Sequence, residues 1–274
     1  QQQAKERMEM RPHLHEDDVT ALQLLSADLR RTLRYEQFSG HLSVHGLFRL
    51  WVDADLNLAK ELCMEAMESS SLRPSDNLFV PQTFASKAHF LVAGDAVYTQ
   101  ERDTSPVVAA VTCPVPTCRW LCEAALWSHW IHVGTVTAHT QCQVVSLSSE
   151  GVVPILARHL LVGSISADYG RKFHQRITAA RPPLSPWPTD LQVPSTDYCE
   201  MVAALEKDSQ VEVGVMALAG ARLAGRRDGL AALHRQVSDG KCTLMTNPEG
   251  QLQRVVAVVP VRMENARGKF LAEL

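Results

Sequence analysis

The chain has 274 residues and a formal net charge of −3, with 46% hydrophobic and 21% charged residues. This composition is typical of a globular protein with a real core, and it excludes a basic nucleic-acid binder and a polybasic membrane anchor. No run of about 18 uncharged apolar residues occurs, so we expect no membrane-spanning segment. The polar start, residues 1–11, predicts no signal peptide, and the seven cysteines are therefore expected to be reduced thiols in a cytosolic setting.

Helical patterns dominate residues 1–70. Leucines recur at helical spacing from Leu22 to Leu33, and a second helix is predicted near Asp55–Glu68, closed by the serines at 69–71. We interpret this region as an N-terminal helical unit.

Short apolar runs between turn signals replace the helical pattern from about residue 72. Such spacing favours a compact antiparallel all-β unit. Helix returns after Ser148 and continues to about Ala180, where it is expected to form a lid. The second predicted unit therefore covers residues 71–180, with strands at residues 78–80, 89–92, 96–98, 107–112, 135–138 and 143–147.

Five prolines lie within residues 181–194, and we interpret residues 181–196 as a stiff linker. The tail, residues 197–274, is predicted to be a separate small α+β module. It would contain helices over 198–206 and 215–237 and a hairpin of strands 242–246 and 252–262, joined by a turn at 247–250. The sequence as a whole predicts an α+β fold: N-terminal helices, an antiparallel, jelly-roll-like β-roll, a helical lid and this module.

One segment, residues 121–138, resembles the phosphate-binding cassette of cyclic-nucleotide-binding domains. In that family a strand leads into Phe-Gly-Glu, a one-turn helix with Ala-Leu, a loop, and then an Arg followed by small residues and Thr-Val. Residues 72–99 resemble the first three strands of the family. Residues 24–51 resemble the helical C-linker of voltage-gated and cyclic-nucleotide-gated channels, and the whole resemblance covers about residues 20–180. The residues of the cassette that fall in register are Glu123, Ala124, Ala125, Leu126, Thr135, Val136 and Ala138.

The resemblance implies a pocket in which Arg holds the phosphate, Gly lets the backbone approach and Glu accepts the ribose hydroxyl. This sequence has His132 at the Arg position and Cys122 at the Gly position. A neutral histidine gives no bidentate charged contact, and losing one partner of a buried charge pair costs about 2–5 kcal/mol. Val133 replaces the Thr of cGMP-preferring members. The cassette is therefore degenerate, and its candidate ligand-binding residues are Cys122, Glu123, Ala124, Ala125, His132, Val133 and Thr135.

Structural interpretations stand beside these functional ones. Glu123 is either a nucleotide ligand or a carboxylate that bonds the loop backbone, and His132 is more simply a half-buried histidine. The tryptophans 120, 127 and 130 either fill the pocket or are ordinary core and surface aromatics. The Cys and His residues here lack the paired spacing of structural zinc sites, so no metal is predicted. No catalytic motif occurs, so no catalytic residue and no enzyme activity are predicted.

The preferred hypothesis is a cytosolic regulatory region of a voltage-gated or cyclic-nucleotide-gated-type cation channel, of the potassium-channel kind. It would lie on the cytosolic face of a membrane as part of a longer protein, contact the pore helices, and assemble with other subunits as a homotetramer. It would need no cofactor and bind no nucleic acid. One alternative is a weak cAMP sensor. A second is a transcription regulator of the catabolite-activator type, although residues 195–274 carry ten basic and ten acidic residues, a net charge of zero.

Overall fold

The computed structural model of the chain describes residues 24–223, 230–239, 243–246 and 252–255. Three helices open the described part: α1 (Ala27–Leu42), α2 (Gly46–Ala54) and α3 (Leu56–Glu61). Ser26 caps α1, since its hydroxyl accepts from the backbone N–H of Leu29 at 3.3 Å. The prediction of helices in this region is confirmed from residue 27 onward, and residues 1–23 lie outside the described residues.

The second predicted helix ends earlier than its pattern indicated. After α3 the chain makes a π-helical turn, Leu62–Ala66, and then enters strand β1 (Met67–Leu72). The predicted end of the helix over residues 67–68 is therefore wrong. The reason is tertiary: β1 pairs antiparallel with strand β10, with Met67 opposite Leu147, and this pairing outweighs the local helical pattern.

The β-roll consists of two four-stranded antiparallel sheets and a two-stranded ribbon. The first sheet has the strand order β1-β10-β4-β7, the second β2-β9-β5-β6, and the ribbon pairs β3 with β8. These sheets confirm the predicted α+β class with an antiparallel roll, an arrangement consistent with the cyclic-nucleotide-binding fold. The remaining strands are β2 (Asn77–Phe79), β3 (Phe84–Ala85), β4 (Lys87–Ala93), β5 (Ala96–Gln100), β6 (Val111–Pro114), β7 (Trp120–Leu121), β8 (Trp130–Ile131), β9 (Thr135–Ala138) and β10 (Cys142–Ser148).

One predicted strand is shifted. The run 107–112 was expected to be a strand, but pairing begins only at Val111, where β6 joins β5. Val108 is 90% exposed and lies in an irregular loop, so its apolar character reflects no sheet partner. An apolar residue on the surface is common and is a weak signal for a strand.

Two helices follow the roll where one long segment was predicted. Helix α5 (Ser149–Arg158) and helix α6 (Leu160–Ala179) are separated by a break at His159, after the one-turn helix α4 (Ala124–Trp127) of the cassette. Helix α6 packs against α4 and α2. The indole N–H of Trp51 in α2 donates to the Ser166 hydroxyl in α6 at 2.8 Å, and both side chains are buried.

The tail helices share the core of the N-terminal helices. Helix α7 spans Tyr198–Ala204 and helix α8 spans Lys207–Leu223, and α8 packs against α2 and α6. The domain boundary predicted after residue 196 thus crosses one continuous hydrophobic cluster, which includes Phe48, Trp51, Tyr169, Met201, Val202, Leu205 and Val213.

The end of the chain is described only in part. Helix α9 spans Leu230–Ser238, and strands β11 (Thr243–Thr246) and β12 (Leu252–Val255) form the predicted antiparallel hairpin. The predicted turn 247–250, residues 224–229 of the predicted helix 215–237 and the strand end 256–262 lie outside the described residues. Within the described ranges, no helix combines the length and apolar character that crossing a bilayer requires.

The shared core can be tested with two tryptophans. Trp51 of α2 is fully buried and contacts α6, whereas Trp187 is 43% exposed. We expect Trp51→Ala to lower the free energy of unfolding by about 3–5 kcal/mol, because truncating a buried aromatic leaves a cavity. Trp187→Ala, the matched control, should cost less than about 1 kcal/mol. Urea unfolding of the full chain measures both values, and equal losses would contradict the packing of α2 on the lid.

Candidate functional site

A buried aspartate occupies the pocket that the cassette resemblance assigns to a nucleotide phosphate. Asp190 is 1% exposed, and its carboxylate lies against the loop that follows β8. Oδ2 accepts hydrogen bonds from the backbone N–H groups of Val133 and Gly134, both at 3.0 Å, and from the Tyr98 hydroxyl at 2.8 Å. Oδ1 accepts from the indole N–H of Trp130 at 2.8 Å.

The donors around Asp190 explain why a charge is tolerated there. Burying a carboxylate away from water is expensive unless hydrogen bonds replace the lost hydration. Two backbone amides, an indole and a phenol provide such bonds, and both oxygens are satisfied. The same set of donors suits one face of a phosphate group, so the carboxylate acts as an anion inside an anion pocket.

Asp190 arrives in the pocket from the proline-rich stretch, here called the Asp190 segment (residues 181–197). The backbone N–H of Cys122 donates to the carbonyl of Asp190 at 2.6 Å, which ties the segment to the cassette. Leu191 packs against the core of the roll, and Val193 is buried in the cluster beneath the helices. The stretch that was predicted to be a linker therefore contributes the central residue of the site.

His132 stands beside the carboxylate, at the position where the family has arginine. Its Nδ1 lies 2.8 Å from Asp190 Oδ1, and its ring stacks on Phe79 with a centroid separation of 4.0 Å and an interplanar angle of 8°. His132 is 5% exposed, so the prediction of a half-buried histidine is wrong. A second histidine nearby, His89, is neutral at pH 7, since burial lowers its pKa to about 3.

Cys122, at the position where the resemblance expects glycine, has a left-handed backbone conformation. Its φ is 57°, in the left-handed region that is costly for a residue with a β-carbon. The thiol is buried, and burial, with the charge of Asp190 as the second cause, raises its pKa well above the ordinary value. Its sulfur lies 3.8 Å from His132 Nδ1.

The Cys122, His132 and Asp190 side chains do not form a nucleophile–base–acid chain. In such a chain the thiol and the carboxylate meet different ring nitrogens, so that a proton passes through the imidazole. Here both approach Nδ1. A protonated, buried thiol with this geometry is poorly suited to nucleophilic catalysis.

Glu123 points away from this pocket, toward the helices. Its Oε1 accepts from the indole N–H of Trp127 and from the hydroxyl of Tyr169, each at 3.1 Å. Its Oε2 lies 3.2 Å from Nε2 of His45, the residue before α2. Glu123 was predicted to be either a nucleotide ligand or a carboxylate that bonds the loop backbone. Its carboxylate instead contacts side chains at the start of α2, in α4 and in α6, and the nucleotide-ligand role stays a prediction.

The other predicted residues have separate positions. Ala124 and Ala125 are buried in α4, and Val133 contributes its backbone N–H to Asp190. Thr135 begins β9 opposite Thr99, and among the described residues it makes no hydrogen bond to Asp190. Of the three tryptophans, Trp130 contributes to the pocket, whereas Trp120 and Trp127 pack against the helical cluster.

Sequence reasoning missed Asp190, Tyr98, Trp130 and Gly134 as members of the site. Asp190 is remote from the cassette in sequence, inside a proline-rich stretch that carried no motif. Its only local signal is an acidic residue between Thr189 and Leu191 after a run of prolines, and this pattern is common in loops. The contact is therefore visible only in three dimensions.

Comparisons with known proteins reach part of the chain. No family model and no curated protein matches it. The N-terminal domain of a transcriptional regulator from Streptomyces coelicolor is 20% identical with a TM-score of 0.38, covering 47% of this chain and 90% of that chain. A cyclic nucleotide-binding-like protein from Brucella abortus is 25% identical with a TM-score of 0.34, covering 39% of this chain and 90% of that chain. Neither is described as part of a channel, so the channel-type resemblance stays a prediction.

Proposed function

We propose that this chain is a regulatory domain of the cyclic-nucleotide-binding type that acts as a nucleotide-independent coupler between helices. The observation that carries the proposal is the Asp190 carboxylate, which contacts His132, the residue at the position of the phosphate-binding arginine, and accepts hydrogen bonds from the loop that follows it. A regulatory role without enzymatic activity fits the buried, protonated thiol of Cys122.

The free-energy cost of the missing contacts supports the absence of strong binding of cyclic nucleotides. A nucleotide entering the pocket must displace a carboxylate that already satisfies the donors, and it finds His132 in place of a permanently charged arginine. Missing one partner of a buried charge pair costs about 2–5 kcal/mol, which is a factor of roughly thirty to several thousand in affinity. Both oxygens of Glu123 are also engaged already, by Trp127, Tyr169 and His45, so a ribose hydroxyl would have to compete with these contacts.

The coupling role is supported by the contacts of Glu123. One carboxylate contacts His45 before α2, Trp127 of the cassette helix and Tyr169 of the lid helix α6. Movement of the lid is therefore transmitted through Glu123 to the N-terminal helices. A second tie lies in α1, where the Arg34 guanidinium donates to the Cys63 carbonyl at 3.0 Å.

Within this proposal, the larger protein is a cation channel of the potassium-channel kind, with this region on the cytosolic face of the membrane. The support is the resemblance of residues 24–51 to a channel C-linker and an apolar stripe on α1. Leu29 and Leu33, one helical turn apart, are 55% and 45% exposed, and Leu24 is 83% exposed. Such a stripe suits contact with other subunits of the same assembly.

The transcription-regulator alternative has less support from the described residues. Helix α8 packs against α2 and α6, so it serves the shared core. Residues 195–274 also have a net charge of zero, whereas a DNA-binding module usually carries an excess of basic residues.

Calorimetric titration of cAMP and cGMP at pH 6 and pH 7.5 tests the occupied pocket. We expect no heat up to millimolar nucleotide with the wild-type chain. The double variant Asp190→Ala/His132→Arg should bind at least about thirtyfold more tightly, because it removes the carboxylate and restores the charged contact.

The matched control for this titration is His132→Arg alone, in which Asp190 remains to pair with the new guanidinium, and no binding is expected. Wild-type binding that Glu123→Ala abolishes would identify a working cAMP sensor and overturn the proposal.

A double-mutant cycle tests Glu123 as the coupling residue. His45→Ala and Glu123→Gln should show an interaction energy in the range of about 0.5–3 kcal/mol in urea unfolding, because each removes the partner of the other inside a largely buried network. The control cycle uses the exposed pair Lys87 and Glu68, whose atoms lie 2.6 Å apart and whose expected coupling is at most about 1 kcal/mol. A coupling near zero for the first pair would remove His45 from the mechanism.

Light scattering of the purified chain at high concentration tests assembly through α1. We expect self-association that Leu29→Asp/Leu33→Asp weakens, because the charges disrupt an apolar contact. Leu184→Asp is the control, since Leu184 is 96% exposed and lies outside α1. A wild-type chain that stays monomeric would count against the channel-type assembly.

A further inference from the structure

We propose that Cys122, His132 and Asp190 form a buried binding site for a zinc ion, which fixes the Asp190 segment in the pocket. The inference rests on the same placement of Asp190 as the proposed function, but it adds a ligand and a reason for the residues that replace the family's Gly and Arg.

The three donor atoms lie close enough together to contact one metal ion. One ligand atom from each residue lies within 4.8 Å of the other two. The sulfur of Cys122 and the carboxylate oxygen of Asp190 converge on the same nitrogen of His132, at 3.8 Å and 2.8 Å. In a tetrahedral zinc site with bonds of about 2.0–2.3 Å, ligand atoms lie roughly 3–4 Å apart. The two separations from His132, 3.8 Å and 2.8 Å, lie in or close to that range.

The chemistry of the donors selects the metal. A thiolate, an imidazole and a carboxylate together suit Zn²⁺, whereas Mg²⁺ and Ca²⁺ require oxygen ligands. Binding releases the thiol proton of Cys122 and leaves its sulfur bonded to the metal, so burial of the thiolate charge is compensated. Three protein ligands leave one position for a water molecule or for the second oxygen of Asp190.

The neighbours of Asp190 already orient it as the surroundings of a metal ligand do. The Trp130 indole bonds Oδ1, and the Tyr98 hydroxyl and the Val133 and Gly134 amides hold Oδ2. Hydrogen bonds of this kind fix ligand orientation, and their loss weakens metal affinity by about 10- to 100-fold.

The backbone of Cys122 provides an independent reason. A residue with a β-carbon at a φ of 57° is strained relative to glycine, and such strain is commonly found at functional positions. Cys118 and Ser195 share this φ, but the Cys122 side chain is buried and its sulfur contacts His132, a contact that glycine cannot make. Replacement of Gly by Cys and of Arg by His removes an anion-binding arginine and supplies two metal ligands at one place.

Cobalt substitution tests the site in the tag-free, chelator-treated full chain. Titration with Co²⁺ should produce a thiolate-to-cobalt charge-transfer absorption in the near ultraviolet, which saturates at one equivalent and is displaced by Zn²⁺. Cys122→Ser should abolish this absorption. Cys118→Ser should retain it, because Cys118 is exposed and is not one of the three donor residues.

Unfolding equilibria give a second measurement that separates structural from metal effects. Free Zn²⁺ at 100 times its dissociation constant should raise the wild-type folding equilibrium constant about a hundredfold. Cys122→Gly should be more stable than wild type without metal, because the strain is relieved, and Zn²⁺ should leave it unchanged.

Two results would overturn the metal site: no charge-transfer absorption in the wild-type chain, or the same absorption in Cys122→Ser. The proposed function is judged separately, by nucleotide titration of the chelator-treated chain. A chain that binds neither metal nor nucleotide defeats only the zinc proposal, whereas nucleotide binding by the wild-type chain defeats the proposed function.

Discussion

The placement of one charged group inside the protein constrains the rest of this site. A carboxylate that is 1% exposed needs hydrogen-bond donors on both oxygens. Asp190 takes them from the Val133 backbone in a loop, the Tyr98 hydroxyl in β5 and the Trp130 indole in β8. Two of those donors, the amides of Val133 and Gly134, directly follow His132 in the chain. The structure thus places an anionic side chain of the same chain beside the segment that resembles a phosphate-binding cassette.

The helices around the roll belong to the same packing unit as the lid. Phe48 and Trp51 of α2 stack with centroids 4.8 Å apart, and Trp127 of the cassette helix meets both Trp51 and Tyr169 through its ring. Glu123 adds directional hydrogen bonds across this aromatic contact. Since close-packed interiors deform little, a displacement of one helix requires the others to move with it. Packing of this kind is the physical basis of the coupling role that we propose.

The sequence predicted the parts of the fold whose signals are local. The strands at 135–138 and 143–147 and the helices after Ser148 follow from periodicity and turn residues, and the cassette was found because its residues are contiguous. The end of the second helix was missed because β1 forms only through its pairing with β10. The strand predicted at 107–112 was placed too early because Val108 is apolar although it lies exposed in a loop. Asp190 was missed because a contact between residues 58 apart leaves no pattern in either segment. The cassette pattern identified His132 and Cys122 as neighbours of one site, but it gave no indication that Asp190 lies between them and the loop at 133–134.

The connection between the lid and the pocket has a thermodynamic consequence. Residues 180–189 join the end of helix α6 to Asp190, so the carboxylate is a tethered ligand. A short tether gives an effective concentration on the order of millimolar or more, and a free anion must compete with that value whatever its intrinsic affinity. The tether also works in the other direction, because a force that draws α6 away from the roll lowers the occupancy of the pocket. The position of helix α6 and the occupancy of the pocket by Asp190 are thus thermodynamically linked, so that a change in one changes the other.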